Sequence, residues 1–325
     1  MSENQAAGLA LGARVIPLPT TISEQARQVL ANPSLSLPTL LPPADDKAAW
    51  NALVSQIDAA IVAAIGPRLP TQGYTQETRI VAGVTTYVIT PLGVAADDPR
   101  VFLDIHGGGF VLGRGEACRL MAIGMALRTG VRVVSVDYRM PPDHPYPAGL
   151  DDCMAVYRAL LEKHRPQDIV AGGISAGANL AAALTLRARD EGLPMPAAVV
   201  MMTPGSDITG AGDTMHTLRG IDSVLPSPMP EMMQLYAGDA PLDHPHVSPQ
   251  YGDFKPGFPP TFLQSGTRDL LLSNTARMHR KLRSAGIAAE LHVFEAMPHG
   301  GFGGGTPEDL EVTMELRRFL ATHWK

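Results

Sequence analysis

Cysteine is nearly absent from this chain: 325 residues contain two, Cys118 and Cys153. Both fall in helix-like segments and neither forms a C-x-x-C pair, which excludes a disulfide framework and a zinc ribbon, so no metal site is expected. No Cys/His pairing surrounds them, and they are expected to be small buried core residues. A basic stripe is missing too. The 26 lysines and arginines are interspersed with 32 aspartates and glutamates, for a formal net charge of −6, which leaves a nucleic-acid partner without an electrostatic footprint. No uninterrupted apolar run reaches the ~20 residues of a membrane span. The mildly apolar stretch from Ala6 to Ile16 is broken by Gly8, Gly12 and Arg14 and follows no basic segment, so neither a signal peptide nor membrane insertion is expected. On these absences a soluble, cytoplasmic protein acting on a small neutral or apolar molecule is expected.

What is present is a chain with 45% hydrophobic residues, enough for one large α/β core with an appended cap. Residues 1–72 carry prolines at 17, 19, 33, 38, 42 and 43 and a helical pattern from Asp45 to Ile65, marked by Trp50, Leu53, Ile57, Ile61 and Ile65. They read as a cap segment. A strand pair turning at Gly83 follows, and then strands and helices alternate: strands at 101–105, 132–137, 168–172 and 197–203, helices at 116–128, 148–163 and 177–190. This alternation implies a mostly parallel sheet with helices on both faces. Residues 205–258 break the rhythm with glycines, prolines and methionines and read as a second cap segment. It resumes with strand 261–266, helix 273–285, strand 289–294 and a last helix opened by Thr306 and Pro307. The expected division is cap 1–72, core 73–204, cap 205–258 and core 259–325.

Gly173-Ile174-Ser175-Ala176-Gly177 lies between a strand-like and a helix-like run, where a sharp turn would expose a serine hydroxyl. Upstream, the strand Val101–Ile105 runs straight into His106-Gly107-Gly108-Gly109-Phe110. A triple glycine leaves backbone N–H groups uncovered, and Gly107, Gly108 and Gly109 with the amide of Ala176 would form an oxyanion hole. His106 is expected to hydrogen-bond and shape this loop. A serine hydroxyl is a poor nucleophile alone and requires a histidine base, itself oriented by a carboxylate. Asp269 and His299 each follow a late strand, giving the order Ser175, Asp269, His299, and loops beyond the carboxyl ends of parallel strands can bring the three together. Asp207, which also follows a strand, is the rival acid. His244, His246, His279, His292 and His323 lack the required placement.

With the 137–148 stretch beginning Asp137-Tyr138-Arg139, these motifs resemble the hormone-sensitive-lipase-like esterases, a branch of the α/β-hydrolases, from about residue 75 onward. The resemblance implies an α/β-hydrolase fold with a mainly helical cap, carboxylesterase activity on short to medium acyl chains, no cofactor, and a homodimer formed along the final strand and its neighbouring helix. Three departures stand out. Ile174 replaces the usual aspartate or threonine of the elbow, the loop His299-Gly300-Gly301-Phe302 has one extra glycine, and Leu270 follows Asp269 where proline is common. Phe110, Leu218, Met229 and Met233 are expected to wall the substrate pocket, with Leu225 and Met232 beside them. A lactone hydrolase would use the same triad, and a non-catalytic ligand receptor on the same fold is the reading of a different class.

Overall fold

Six adjacent parallel strands form most of an eight-stranded sheet. The computed structural model describes residues 12–324 apart from 14, 34–39 and 256. The first eleven residues of the expected cap, and the proline at 38, lie outside the described residues. Two helices come first, α1 (Glu24–Ala31) and α2 (Lys47–Ile65), followed by the antiparallel pair β1 (Tyr74–Val81) and β2 (Val84–Pro91). Then come β3 (Val101–Ile105), α3 (Glu116–Thr129), β4 (Arg132–Val136), α4 (Ala148–Leu161), β5 (Ile169–Ile174), α5 (Ala176–Asp190) and β6 (Ala198–Met202). Short helices α6 (Thr214–Thr217) and α7 (Pro230–Ala237) precede β7 (Thr261–Gly266), α8 (Leu272–Ser284), β8 (Ala289–Phe294) and α9 (Pro307–His323).

The strand order is β1-β2-β4-β3-β5-β6-β7-β8. All pairings from β4 to β8 are parallel, as the alternation predicts. The central strands are apolar on both faces because helices cover both. Leu103, Ile105, Ala171, Met201 and Leu263 join one core cluster, while Phe102, Val170, Val200 and Phe262 join the other. The final helix starts where the sequence signals it: Thr306 and Asp309 form a reciprocal capping box with Pro307 in the first turn.

Helix α2 is apolar and long enough, by length and composition, to cross a membrane. Its stripe Trp50, Val54, Ile57 and Ile61 is buried and packs with Val111, Leu112, Met232 and Leu235, so it joins the loop after β3 to α7. The exposed apolar positions of its middle turns are alanines, at 52, 59, 60 and 63.

Candidate active site

The serine turn is fixed by close backbone approach. Ser175 takes φ 58°, a left-handed conformation that side-chain-bearing residues rarely adopt. Its N–H donates to the carbonyl of Met202 at 2.9 Å, and its carbonyl accepts from Gly205 and Asn179, each at 3.2 Å. A Cβ on Gly173 or Gly177 would collide with the carbonyl of Ile105 at the end of β3, which is why small residues flank the serine. Ile174 does not disturb this geometry. Its side chain is half-buried on the cavity wall, and its carbonyl would lie 2.9 Å from a Cβ on Gly107.

Ser175, Asp269 and His299 form one hydrogen-bonded line. His299 Nε2 lies 2.8 Å from Ser175 Oγ, and Nδ1 lies 3.0 Å from Asp269 Oδ1. Asp269 is fully buried and is itself held by the Ser265 hydroxyl at 2.6 Å and the Leu271 amide at 2.9 Å. Burial pulls the His299 imidazole toward neutrality, but the charge of Asp269, its hydrogen bond and the charge of Asp222 outweigh that and raise it above the ordinary histidine value. Such a relay can take a proton from the serine hydroxyl and return it to a leaving group.

Beside the serine, His106 Nδ1 contacts the Gly107 carbonyl at 2.7 Å and its ring stacks on Tyr138 at 4.3 Å. This buried histidine shapes the glycine loop, as read from the sequence. Gly108 and Gly109 take φ 117° and 59°, and a Cβ on either would strike the Leu112 carbonyl or Met232 Sδ. Among the described residues, no turn or loop hydrogen bond uses the amides of Gly108, Gly109 or Ala176, so these donors remain available to an oxyanion. Asp58 of α2 steadies the end of the loop by accepting from the Gly113 amide at 2.7 Å.

These groups open into a cavity of about 450 Å³ with a mainly apolar lining. Phe110, Met229, Met233 and Leu225 line it, as predicted, but Leu218 and Met232 do not. Met232 is instead fully buried in the cluster that α7 forms with Trp50 and Val54 of α2. Leu218 caps the short helix α6, with its amide bonded to the Thr214 carbonyl, and the turn holds it half-buried away from the cavity. The cavity also reaches the N-terminal helices through Val29, Ile61 and Ala64, which sequence reading did not assign to it.

Asp207 lines the cavity, yet its carboxylate is engaged elsewhere, by Thr209, by Tyr251 and by an ion pair with Arg277. His292 stacks on Phe262, and His244 lies against His246. Cys118 and Cys153 are both buried and free, and burial pushes both thiols well above their ordinary range, so neither is an activated nucleophile. The site residue that sequence reading missed is Asp222. Buried in the 205–258 segment, it accepts from the amides of Leu270 and His299.

A profile of the α/β-hydrolase fold matches residues 102–302, which span the glycine loop, the elbow and the histidine loop. The chain belongs to the α/β-hydrolase fold family. Among curated α/β-hydrolase relatives, an "Esterase" of Acinetobacter venetianus is 32% identical over 237 residues, 70% of this chain and 76% of that protein. An "Acetyl-hydrolase" of Streptomyces hygroscopicus is 33% identical over 63% of this chain and 69% of its own. Among solved structures, an esterase superimposes with a TM-score of 0.90 at 37% identity, covering 98% of this chain and 99% of its own. An esterase from the bacterial hormone-sensitive lipase family superimposes with a TM-score of 0.80 at 29% identity, covering 93% and 99%. The resemblance read from the motifs is therefore borne out.

Proposed function

We propose that this α/β-hydrolase is a carboxylesterase that cleaves small uncharged esters of short to medium acyl chain through an acyl-enzyme on Ser175. The observation that carries this reading is the line Ser175, His299, Asp269, with Nε2 2.8 Å from Oγ, opening beside unclaimed glycine amides into an apolar cavity. Relatives and structural neighbours named as esterases support it.

His299 Nε2 takes the hydroxyl proton as Oγ attacks the ester carbonyl. The carbonyl oxygen becomes an oxyanion, held by the amides of Gly108, Gly109 and Ala176 where Gly107 brings the loop against the elbow. Asp269 stays ionised and fixes the imidazole with Nε2 facing the serine. The C–O bond breaks as His299 gives its proton to the departing alcohol, leaving the acyl group on Oγ. Water then enters: His299 takes one of its protons as the water oxygen bonds to the acyl carbon, and the second tetrahedral species collapses with cleavage of the Oγ–C bond, His299 returning that proton to Oγ as the acid leaves.

The test is hydrolysis of a p-nitrophenyl series from acetate to palmitate by wild type and Ser175→Ala, with fluorophosphonate labelling read by intact mass. Turnover peaking at a short or medium chain, labelling at Ser175 and loss of both in the variant are expected. Faster cleavage of a lactone than of its linear counterpart would move the assignment to a lactone hydrolase. Saturable ester binding with neither turnover nor labelling would replace the enzyme with a receptor. The homodimer belongs to the same proposal: β8 is one edge of the sheet, with Val293 exposed, and a monomer in sedimentation would remove it.

A further inference from the structure

Asp222 is 2% exposed, and among the described residues no lysine or arginine is paired with it. Its partners are backbone amides instead. Oδ1 accepts from Val224 at 2.9 Å and Leu225 at 3.1 Å, Oδ2 accepts from Leu270 at 2.8 Å, and the His299 amide approaches both oxygens, at 3.4 and 3.3 Å. Each of its hydrogen-bond partners is a donor, so the ionised, acceptor-only form is the one that fits. The charge is costly here: burial, with the like charge of Asp269, pushes the group above the ordinary carboxylate range even with His299 and two of the amides pulling it back. A buried carboxylate sustained against that cost by amides from three segments calls for an explanation.

The partners supply one. Leu270 is the residue after Asp269, and it has an N–H to donate only because proline, common at this place in the resembling esterases, is absent. His299 is the base itself. Val224 and Leu225 belong to the segment that forms the cavity wall. One side chain from that wall therefore ties together the loop of the acid and the loop of the base, which leave neighbouring strands β7 and β8. The charged groups that bear on Asp222 are His299 and Asp269, and those that bear on His299 are Asp269 and Asp222.

We infer that Asp222 is a positioning residue of the reaction: it sets the Asp269 and His299 loops in register and places a second negative charge beside the imidazole. The 205–258 segment is then part of the assembly of the triad as well as a wall over the substrate. Because the imidazole becomes cationic as Ser175 attacks, an anion fixed nearby stabilises that state without touching the substrate. This inference rests on the esterase reading above.

The experiment compares wild type, Asp222→Asn and Asp222→Ala in p-nitrophenyl butyrate hydrolysis from pH 5 to 9, alongside urea unfolding. Asparagine keeps the volume but loses the charge and one acceptor. We expect kcat at the alkaline plateau to fall about tenfold, the loss that follows from weakening one charge-assisted hydrogen bond, with KM little changed. The acid limb should also move to lower pH, because the imidazolium has lost an anionic neighbour. Alanine should give the same displacement and a deeper loss of kcat. A brace that only stabilises the fold would lower the urea midpoint while leaving the acid limb in place, and that result, or wild-type kcat in Asp222→Asn, would overturn the inference. Failure of wild type itself to turn over or to be labelled at Ser175 is a separate outcome, which removes the esterase reading before the variants are compared.

Discussion

Gly177 stands with its Cα against the carbonyl oxygen of Ile105, so that a Cβ there would collide with that oxygen and with the carbonyl of His106. The contact joins the start of α5 to the end of β3 and brings the serine turn beside the glycine loop. Its φ is not in the left-handed region, which makes the requirement steric. Gly177→Ala should therefore destabilise the fold by about 1–3 kcal/mol, the range of overpacking in a tight core, and separate the oxyanion donors from Ser175. Urea unfolding and p-nitrophenyl acetate turnover would measure both, and an unshifted midpoint with full activity would contradict the contact.

His299 is raised above the ordinary histidine value, with burial opposed by Asp269 and Asp222. The base must be neutral to take the serine proton, and its neutral form is lost as pH falls through this raised value. The acid limb of kcat/KM for an uncharged ester should consequently lie above ~6.5, the unperturbed value. Initial rates between pH 5 and 9 locate it, and an inflection below that value would mean that burial, not the carboxylates, dominates at His299.

The parallel core was legible because its signals are local. From Val101 onward the strands and helices predicted for the core recur with bounds within two residues of those observed, since apolar strand runs, turn glycines and the Thr306–Pro307 start are all contiguous in sequence. The order of Ser175, Asp269 and His299 was legible for a related reason: each follows a strand end, and parallel strands deliver such ends to one side. The cap was less readable. Helices α1, α6 and α7 are 8, 4 and 8 residues long, too short for a periodic pattern to emerge, and Leu218 was misplaced because nothing in its neighbours shows which way that turn faces. Asp222 was missed because two of its partners, Leu270 and His299, are backbone amides 48 and 77 residues away. Its local Asx turn to Val224 was a signal for a loop, with no mark of its distant role.

Asp104 presents a different kind of buried acid. It lies on β3, 2% exposed, with the Ser135 hydroxyl at 2.7 Å, and burial pushes it up to about 7. A carboxyl raised in the fold relative to the unfolded chain costs stability as pH rises: the penalty grows from ~4, the unfolded value, and levels off above the folded one. Asp104→Asn removes this titration. The difference in thermal midpoint between variant and wild type should shift in favour of the variant between about pH 4 and about pH 7 and then hold constant. A difference independent of pH would show that Asp104 titrates in the fold as it does in the unfolded chain.

The cavity wall contributed by α2 allows the chain-length preference to be tested without touching the triad. Ala64 lines the cavity and is half-buried, so Ala64→Leu would place three more carbons where part of a longer ester chain would lie. Each methylene excluded from an apolar site forfeits ~0.8 kcal/mol of transfer free energy, so losing two costs about tenfold in kcat/KM. Octanoate cleavage should fall by about that factor while acetate, too short to reach α2, is cleaved at the wild-type rate. Equal loss on both esters would place the substitution's effect on the glycine loop, which α2 holds through Asp58 and Gly113, and would move the chain-binding wall to Met229 and Met233.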